Sequence, residues 1–510
     1  MSRQTEWDVL VVGGGINGAG IARDVAGRGA RVLLCEQDDL AQHTSSASTK
    51  LIHGGLRYLE YRQFGLVRKA LQEREVLLDI APHLIAPLRF VMPHVPALRP
   101  AWLIRLGLFF YDHLSRRAVL EGSCSVDLRR HFAGVPLVDG LTRGFIYSDA
   151  AVDDARLVML NALGAKECGA SILTRTRLVS AARGDGVWRA QLQDASGRTR
   201  DVSARALVNA AGPWAGVLPV GRAGQARQVR LVKGSHIVTR KLFDHDHAYI
   251  FQNHDRRIVF AIPWQRDYTL IGTTDIDYSG SPSDVRISDD ELAYLCDAVN
   301  RYFRHPVRPA DVVWTYAGVR PLLEDGDGDA SAATRDYRLE LDDTGAPLLS
   351  VFGGKITTYR RLAEEAADLL AVPLRLDAPA WTHRVPLPGG DLPQADFNRF
   401  ALDLEARHRW LPASLARRYA HAYGSRADTL LAGANALESL GEQLVPGLYE
   451  AEARYLVAHE WARSADDILW RRTKLGLQVS PSQVADLEAW LDAHAVEPDC
   501  EHPRVATMSG

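Results

Sequence analysis

The sequence predicts an α/β protein in which a parallel-sheet domain interleaves with an antiparallel-sheet domain and an α-helical domain closes the chain. Three observations predict it. A strand, a glycine turn, a helix and a second strand follow one another between Asp8 and Cys35. Strand-like runs then recur at wide spacing as far as Phe352, and from about Pro388 the chain is rich in Ala, Leu, Glu and Arg at helical spacing.

Val9 to Val12 is aliphatic and β-branched, Ile16 to Ala26 combines helical spacing with small residues, and Arg31 to Cys35 is apolar again, which together make a βαβ unit. The later runs are Ala206–Asn209, His236–Val238, Arg257–Ile262, Tyr268–Ile271 and Leu348–Phe352. Their dispersal among helical and loop segments predicts two interleaved sheets rather than consecutive domains. Leu387-Pro388-Gly389-Gly390 marks the boundary, giving domains 1–388 and 389–510.

The 510 residues suffice for two to four domains at ~100 to 200 residues each. Apolar residues make up 46% and charged residues 24%, with 60 Lys and Arg against 63 Asp and Glu. That balance excludes a disordered chain and a strongly basic nucleic-acid binder. Cys35, Cys124, Cys168, Cys296 and Cys500 are scattered and never paired as Cys-x-x-Cys, which argues against a disulfide framework and a thiolate metal site and for a reducing cytosol. The polar start has no export-signal pattern, and no run reaches the ~18 apolar residues of a membrane span, so any membrane contact is expected at the surface.

Gly13-Gly14-Gly15-Ile16-Asn17-Gly18 fits G-x-G-x-x-G between strand and helix, and Glu36 ends the second strand. Gly13 permits the tight turn, Gly15 lets backbone approach a pyrophosphate, and Gly18 lets helix and strand pack closely. The helix N-terminus offers free N–H groups to the anion, and Glu36 is placed to accept ribose hydroxyls. An ordinary glycine turn is the alternative, and the motif alone does not choose between NAD and FAD.

The next segment bears on that choice. Thr44-Ser45-Ser46-Ala47-Ser48-Thr49-Lys50-Leu51-Ile52-His53-Gly54-Gly55-Leu56-Arg57-Tyr58 sets hydroxyl side chains beside a cation and a glycine pair, chemistry suited to phosphate and a flat ring. A solvated Ser/Thr loop is the competing reading. Here the chain resembles the FAD-dependent glycerol-3-phosphate dehydrogenases of the aerobic, respiratory kind. The resemblance continues at Phe145–Asp149 with Val152–Leu157, Leu207–Trp214, Lys233–His236, Ile271–Asp275, Trp314–Pro321 and Thr334–Tyr337. It extends to His459–Arg463 and Asp466–Lys474, and so spans essentially the whole chain.

The resemblance implies an FAD-binding Rossmann-like domain interleaved with a substrate domain, non-covalent FAD, and oxidation of sn-glycerol 3-phosphate to dihydroxyacetone phosphate. It further implies electron transfer to membrane quinone and peripheral attachment to the cytoplasmic face of the inner membrane; a homodimer is a further expectation. On the cofactor it places Gly13, Gly15, Ile16, Asn17, Gly18, Glu36, Thr44, Ser45, Ser46, Ser48, Lys50, Leu51, His53, Gly55, Ala211, Gly212, Trp214, Gly318, Gly354, Lys355, Thr357 and Thr358. On the substrate it places Arg57, Tyr58, Thr274, Arg320, Arg335 and Lys355. Arginine forks suit phosphate oxygens, and Lys355 acts as a point charge. The strand and glycine turn Val351–Gly354 lead into a helix whose N-terminus would face the flavin pyrimidine edge and stabilise negative charge there. Removal of the hydroxyl proton needs a base, for which His236 is the first candidate and His53 the reserve.

Other readings remain. An amino-acid or sarcosine-type oxidase shares the fold, an oxygen-using glycerophosphate oxidase shares the substrate, and a flavin-bound regulator would share only the cofactor. Asp325–Asp329 departs from a calcium loop at Ala330 and Asp336, and His245-Asp246-His247 lacks further ligands nearby in sequence, so no metal is expected. Pro100–Tyr111 is strongly apolar with flanking Arg99, Arg116 and Arg117, and reads equally as an interfacial or a core helix.

Overall fold

The computed structural model describes residues 6–220, 229–255, 257–323 and 336–494. Arg335 and the Asp325–Asp329 loop lie outside the described residues, as does Cys500.

The parallel sheet places Trp7–Val12 between Thr199–Asn209 and Val32–Cys35, with Leu348–Phe352 and Ser171–Leu173 outside them, all parallel. Arg338–Asp342 closes one edge antiparallel. The central strands bury almost every side chain, as expected for strands covered on both faces. Helix α1 (Ile16–Gly27) packs on this sheet, and a methyl group at Gly20 would stand 2.9 Å from the Tyr359 ring, so the glycine sets the close approach.

The second sheet has ten strands and alternates in sequence with the first. Its centre is Val229–Arg240, flanked by Tyr268–Gly272 and Val312–Leu323, and its far side carries Ile85–Pro93, Arg143–Val152 and Leu51–Ile52. Tyr249, Phe251, Phe303 and Leu295 build the core behind it. The interleaving expected from dispersed strands is therefore present. Each run named from the sequence lies in an observed strand or overlaps one closely, with Leu348–Phe352 matching to the residue.

Helices α2 (Phe64–Ile80) and α3 (Ala101–His113) cover one edge, α4 (Asp154–Glu167) lies beside α1, α5 (Asp289–Asn300) backs the second sheet, and α6 (Tyr359–Leu374) follows the last strand. Helix α3 resolves the two readings of the apolar segment by having two faces. Ile104, Leu108 and Tyr111 are buried, whereas Trp102, Leu103, Leu106, Phe109 and Phe110 are exposed, Trp102 to 68% and Phe109 to 50%. Among the described residues no helix is long and apolar enough to cross a membrane.

The chain forms two compact units, Met1–Asp428 and Thr429–Gly510. The texture change at Pro388 falls inside the first unit, because Gly389 lies against the Tyr423 carbonyl and the Arg156 guanidinium donates to the Ala422 carbonyl at 2.7 Å. The second unit holds the helices Glu450–Glu460 and Pro481–Ala493, the latter started by a reciprocal cap between Ser480 and Gln483, and a small hairpin of Gln443–Val445 with Leu448–Tyr449.

Candidate active site

The first strand ends at Val12 and the chain turns at Gly13 with φ +112°, where a methyl group would lie 2.4 Å from the Ala210 carbonyl oxygen. At Gly18 a methyl group would meet the Gly13 oxygen at 1.9 Å. Both glycines are thus required by space, as the spacing predicts. Helix α1 starts after Gly15, and the Ile16 N–H donates to Ser45 Oγ at 3.0 Å. Asn17 Nδ2 donates to the Gly353 carbonyl at 3.1 Å, while Asn17 Oδ1 is buried without a protein partner.

Glu36 is buried at the end of Val32–Cys35, where burial raises its pKa against the pull of two amides. The Gly14 N–H donates to Oε2 at 2.5 Å and the Asp38 N–H to Oε1 at 3.0 Å. A carboxylate has about four acceptor sites, so capacity for ribose hydroxyls remains.

These residues border a cavity of about 600 Å³ that runs from Glu36 and His43 past Gly15 and Trp214 to Gly353 and Gly354. The Ala211–Trp214 turn, with Gly212 at φ +55°, forms one wall, and the Trp214 ring meets His43 edge-on at 4.7 Å. A glycine-lined turn, a helix N-terminus, an orphaned buried amide oxygen and a deep carboxylate suit an adenine dinucleotide.

The hydroxyl-rich segment behaves differently from the expectation of an open bed for phosphate. Thr44 donates to the Val319 carbonyl at 2.7 Å, Ser46 to the His43 carbonyl at 3.3 Å, and Ser48 to Asp154 Oδ2 at 2.7 Å. Lys50 is buried, with Nζ 2.9 Å from both Asp154 oxygens and 3.0 Å from the Ser46 carbonyl. Its charge is paired within the protein, and Lys50 clamps the Ser46 carbonyl to Asp154. Leu51 is buried and pairs with Ala151.

His236 faces Gly272 on one neighbouring strand and Tyr316 on the other. Its ring stacks on Tyr316 with centroids 4.7 Å apart, and a methyl group at Gly272 would stand 2.0 Å from it. Nε2 lies 3.0 Å from Thr49 Oγ1, Nδ1 is buried without a partner, and the residue is 1% exposed. Burial, with help from Lys50 and Arg320, holds its pKa well below the usual histidine value. A ring enclosed in this way has no open edge for substrate.

His53 is only partly buried. Its N–H donates to Thr357 Oγ1 at 3.2 Å. Burial lowers its pKa; Asp149 opposes this, and Lys355 and Arg74 add to it. The imidazole is therefore neutral near pH 7 and able to take a proton. Of the two sequence candidates, His53 is the less enclosed.

The cations gather from separate elements. Arg320, on Val312–Leu323, donates from Nη1 to Asp275 Oδ1 at 2.5 Å and from Nη2 to Thr273 Oγ1 at 3.4 Å, leaving its side chain 38% exposed. Lys355 Nζ sits 3.9 Å above the Tyr58 ring, which folds back over Gly55, a glycine at φ +75°. Gly353 packs against the Pro321 carbonyl, which brings the strand carrying Arg320 beside the turn carrying Lys355. Gly318 lies opposite Gly234, where a side chain would strike Ala47. At Gly354, φ is +105°, and a methyl group would meet Asn17 Nδ2 at 2.9 Å. After the glycine turn a 3-10 turn, Ile356–Thr358, leads into α6, which starts at Tyr359.

One substrate candidate is committed within the protein. Thr274 is 1% exposed, donates to Glu291 at 2.7 Å and accepts the Ser235 N–H at 2.9 Å, so its hydroxyl ties strand to helix and reaches no ligand. Arg57 Nη2 donates to the Tyr61 hydroxyl at 3.2 Å, while its Nε is buried without a protein partner. The sequence reading also missed the buried group of Asp149, Arg74 and Tyr111 behind His53; Asp149 lies in a stretch singled out above, but only the strand register reveals its neighbour.

A family model described as FAD dependent oxidoreductase matches residues 8–360, and one described as the C-terminal domain of alpha-glycerophosphate oxidase matches residues 380–495. A glycerol-3-phosphate dehydrogenase of Pseudomonas aeruginosa is 54% identical over 501 residues, 98% of this chain and 96% of that protein. A D-erythritol 1-phosphate dehydrogenase of Brucella abortus is 52% identical over 496 residues, 96% of this chain and 99% of that protein. The glycerol-3-phosphate dehydrogenase of Bacillus halodurans, solved with FAD, superimposes with a TM-score of 0.78 at 28% identity, covering 97% of this chain and 91% of that one. With its dinucleotide cleft and full-length similarity, the chain belongs to the FAD-dependent oxidoreductases, in the family of the glycerol-3-phosphate dehydrogenases.

Proposed function

We propose that the protein oxidises sn-glycerol 3-phosphate to dihydroxyacetone phosphate, with the chemistry carried by residues 1–388. The observation that carries this reading is that the strand carrying Arg320 and the turn carrying Lys355 come together where Pro321, Gly353 and Gly354 line the dinucleotide cleft. Bound there, FAD supplies the hydride acceptor. The Arg320 fork, oriented by Asp275, takes phosphate oxygens, and Lys355 adds a point charge that stabilises the oxygen as it loses its proton. His53 accepts that proton, with its backbone fixed by Thr357. The backbone N–H groups of Gly15 and its neighbours hold the pyrophosphate, and Glu36 the ribose. Anaerobic addition of glycerol 3-phosphate should bleach the flavin absorbance; an unchanged spectrum refutes the proposal. The Brucella relative supports a second reading in which a longer polyol phosphate is the preferred substrate. The ratio of kcat/KM for the two phosphate esters decides between them.

Electrons pass on to a membrane quinone, and the protein sits peripherally on the cytoplasmic face of the inner membrane. The exposed face of α3 supports this, since Trp102, Leu106 and Phe109 stand out together and Phe110 meets Phe64 of α2 at 5.9 Å. Exposed Arg62 and Arg116 flank this surface in the chain. An aromatic face bordered by cations suits the lipid headgroup boundary. Flotation with liposomes, and turnover with a quinone compared with oxygen, test these two statements.

A further inference from the structure

Strand Leu51–Ile52 pairs with Arg143–Val152 so that Leu51 faces Ala151 and Ile52 faces Ala150. One step further along the same register sets His53 opposite Asp149, the spacing at which cross-strand side chains interact. Asp149 is 2% exposed. Arg74 of α2 donates to Oδ1 at 2.7 Å, and the Tyr111 hydroxyl of α3 donates to Oδ1 and Oδ2 at 2.7 and 2.8 Å. The Gly54 N–H, directly after His53, donates to the Tyr111 oxygen at 2.8 Å and reaches Asp149 Oδ1 at 3.4 Å. Burial and the adjacent Asp149 push the Tyr111 phenol well above its usual pKa, which keeps it a donor.

A buried carboxylate opposite the proposed base thus also holds the backbone that carries that base. We propose that Asp149 is a positioning residue for the reaction, fixing the His53–Gly54 turn and stabilising the imidazolium that forms when His53 takes the substrate proton. The inference rests on His53 being the proton acceptor. The charged groups acting on His53 are Asp149, Lys355 from the turn before α6, and Arg74 of α2, while the titratable Tyr111 of α3 accepts the N–H of the next residue, Gly54. Among them only Asp149 favours the protonated ring, and its effect exceeds those of Lys355 and Arg74 taken singly. The requirement follows from the chemistry, since a neutral base beside two cations would be too weak without an opposing charge.

The test is Asp149→Asn, which keeps the shape and removes the charge. Flavin reduction by glycerol 3-phosphate is followed by stopped flow across pH. The rate of diethylpyrocarbonate modification of His53, located by peptide mapping, reports the same titration without turnover. In the variant the acid limb should move to lower pH by about 1 unit, the plateau rate should fall ~10-fold, and the modification profile should move in parallel. If Asp149→Asn does not retain FAD, the charge-balanced pair Asp149→Asn with Arg74→Gln carries the same test. The shift keeps its direction there because the carboxylate acts more strongly on His53 than the guanidinium does. An acid limb lost in His53→Ala but unmoved in the Asp149 variant overturns the proposal alone. A limb retained in His53→Ala overturns the base assignment and the proposal with it.

Discussion

Replacing Arg320 with Ala tests the phosphate handle most directly. One edge of the guanidinium is held by Asp275 at 2.5 Å, with Nη2 reaching Thr273 at 3.4 Å, so the fork is oriented before any substrate arrives. Two charge-assisted bonds to a phosphate at ~1.5 to 3 kcal/mol each give a loss of ~3 to 6 kcal/mol, or ~10² to 10⁴ in kcat/KM. The side chain is 38% exposed, and screening by solvent puts the expectation at the lower end, near ~10². Most of the loss should appear in KM, because the phosphate is bound alike in ground and transition states. Arg320→Lys should recover part of it, since charge returns but the planar fork does not. The assay is steady-state turnover with a dye acceptor, preceded by an absorbance spectrum to verify flavin content. A kcat/KM within about threefold of the unaltered enzyme, or glycerol serving as well as its phosphate ester, would refute the handle.

His53→Ala should slow flavin reduction by ~10² to 10⁴ while His236→Ala acts mainly on stability, as stopped-flow traces and thermal unfolding will separate. Gly15→Val should abolish FAD retention, because a branched side chain would crowd Ser45 Oγ, which already lies 3.1 Å from the Cβ position, and would meet the pyrophosphate; the flavin content of the purified protein measures it. Lys50→Met leaves Asp154 buried without its cation and should cost ~3 to 5 kcal/mol in a denaturant titration. Buried His83 and His236 both have pKa values well below the usual, so below pH ~6.5 the unfolded chain binds protons that the native state does not. Stability should therefore fall as pH drops from 7 to 5, and His83→Gln should flatten the slope if unfolding is measured at both pH values. Trp102→Glu with Phe109→Glu should abolish liposome binding with dye-linked activity retained; unchanged flotation would remove α3 as the contact.

The sequence by itself determined the βαβ unit and its glycines, because Gly13 and Gly18 answer a local steric demand that any chain making this turn must meet. Glu36 was legible because parallel pairing of the first two strands sets the end of the second beside the turn that ends the first. The helical texture after Pro388 was legible from periodicity, but periodicity says nothing of where packing divides, and the compact units part at Asp428. Only the tertiary structure sets the surroundings of the two histidines apart. His236 and His53 look alike as residues, yet neighbouring strands and Thr49 enclose one while the other stays partly open. Lys50 likewise reads as a free cation until Asp154, far along the chain, is brought against it. Asp149 joins His53 through strand register alone. Local sequence specifies backbone geometry, whereas burial and long-range pairing set which polar groups remain available to a substrate.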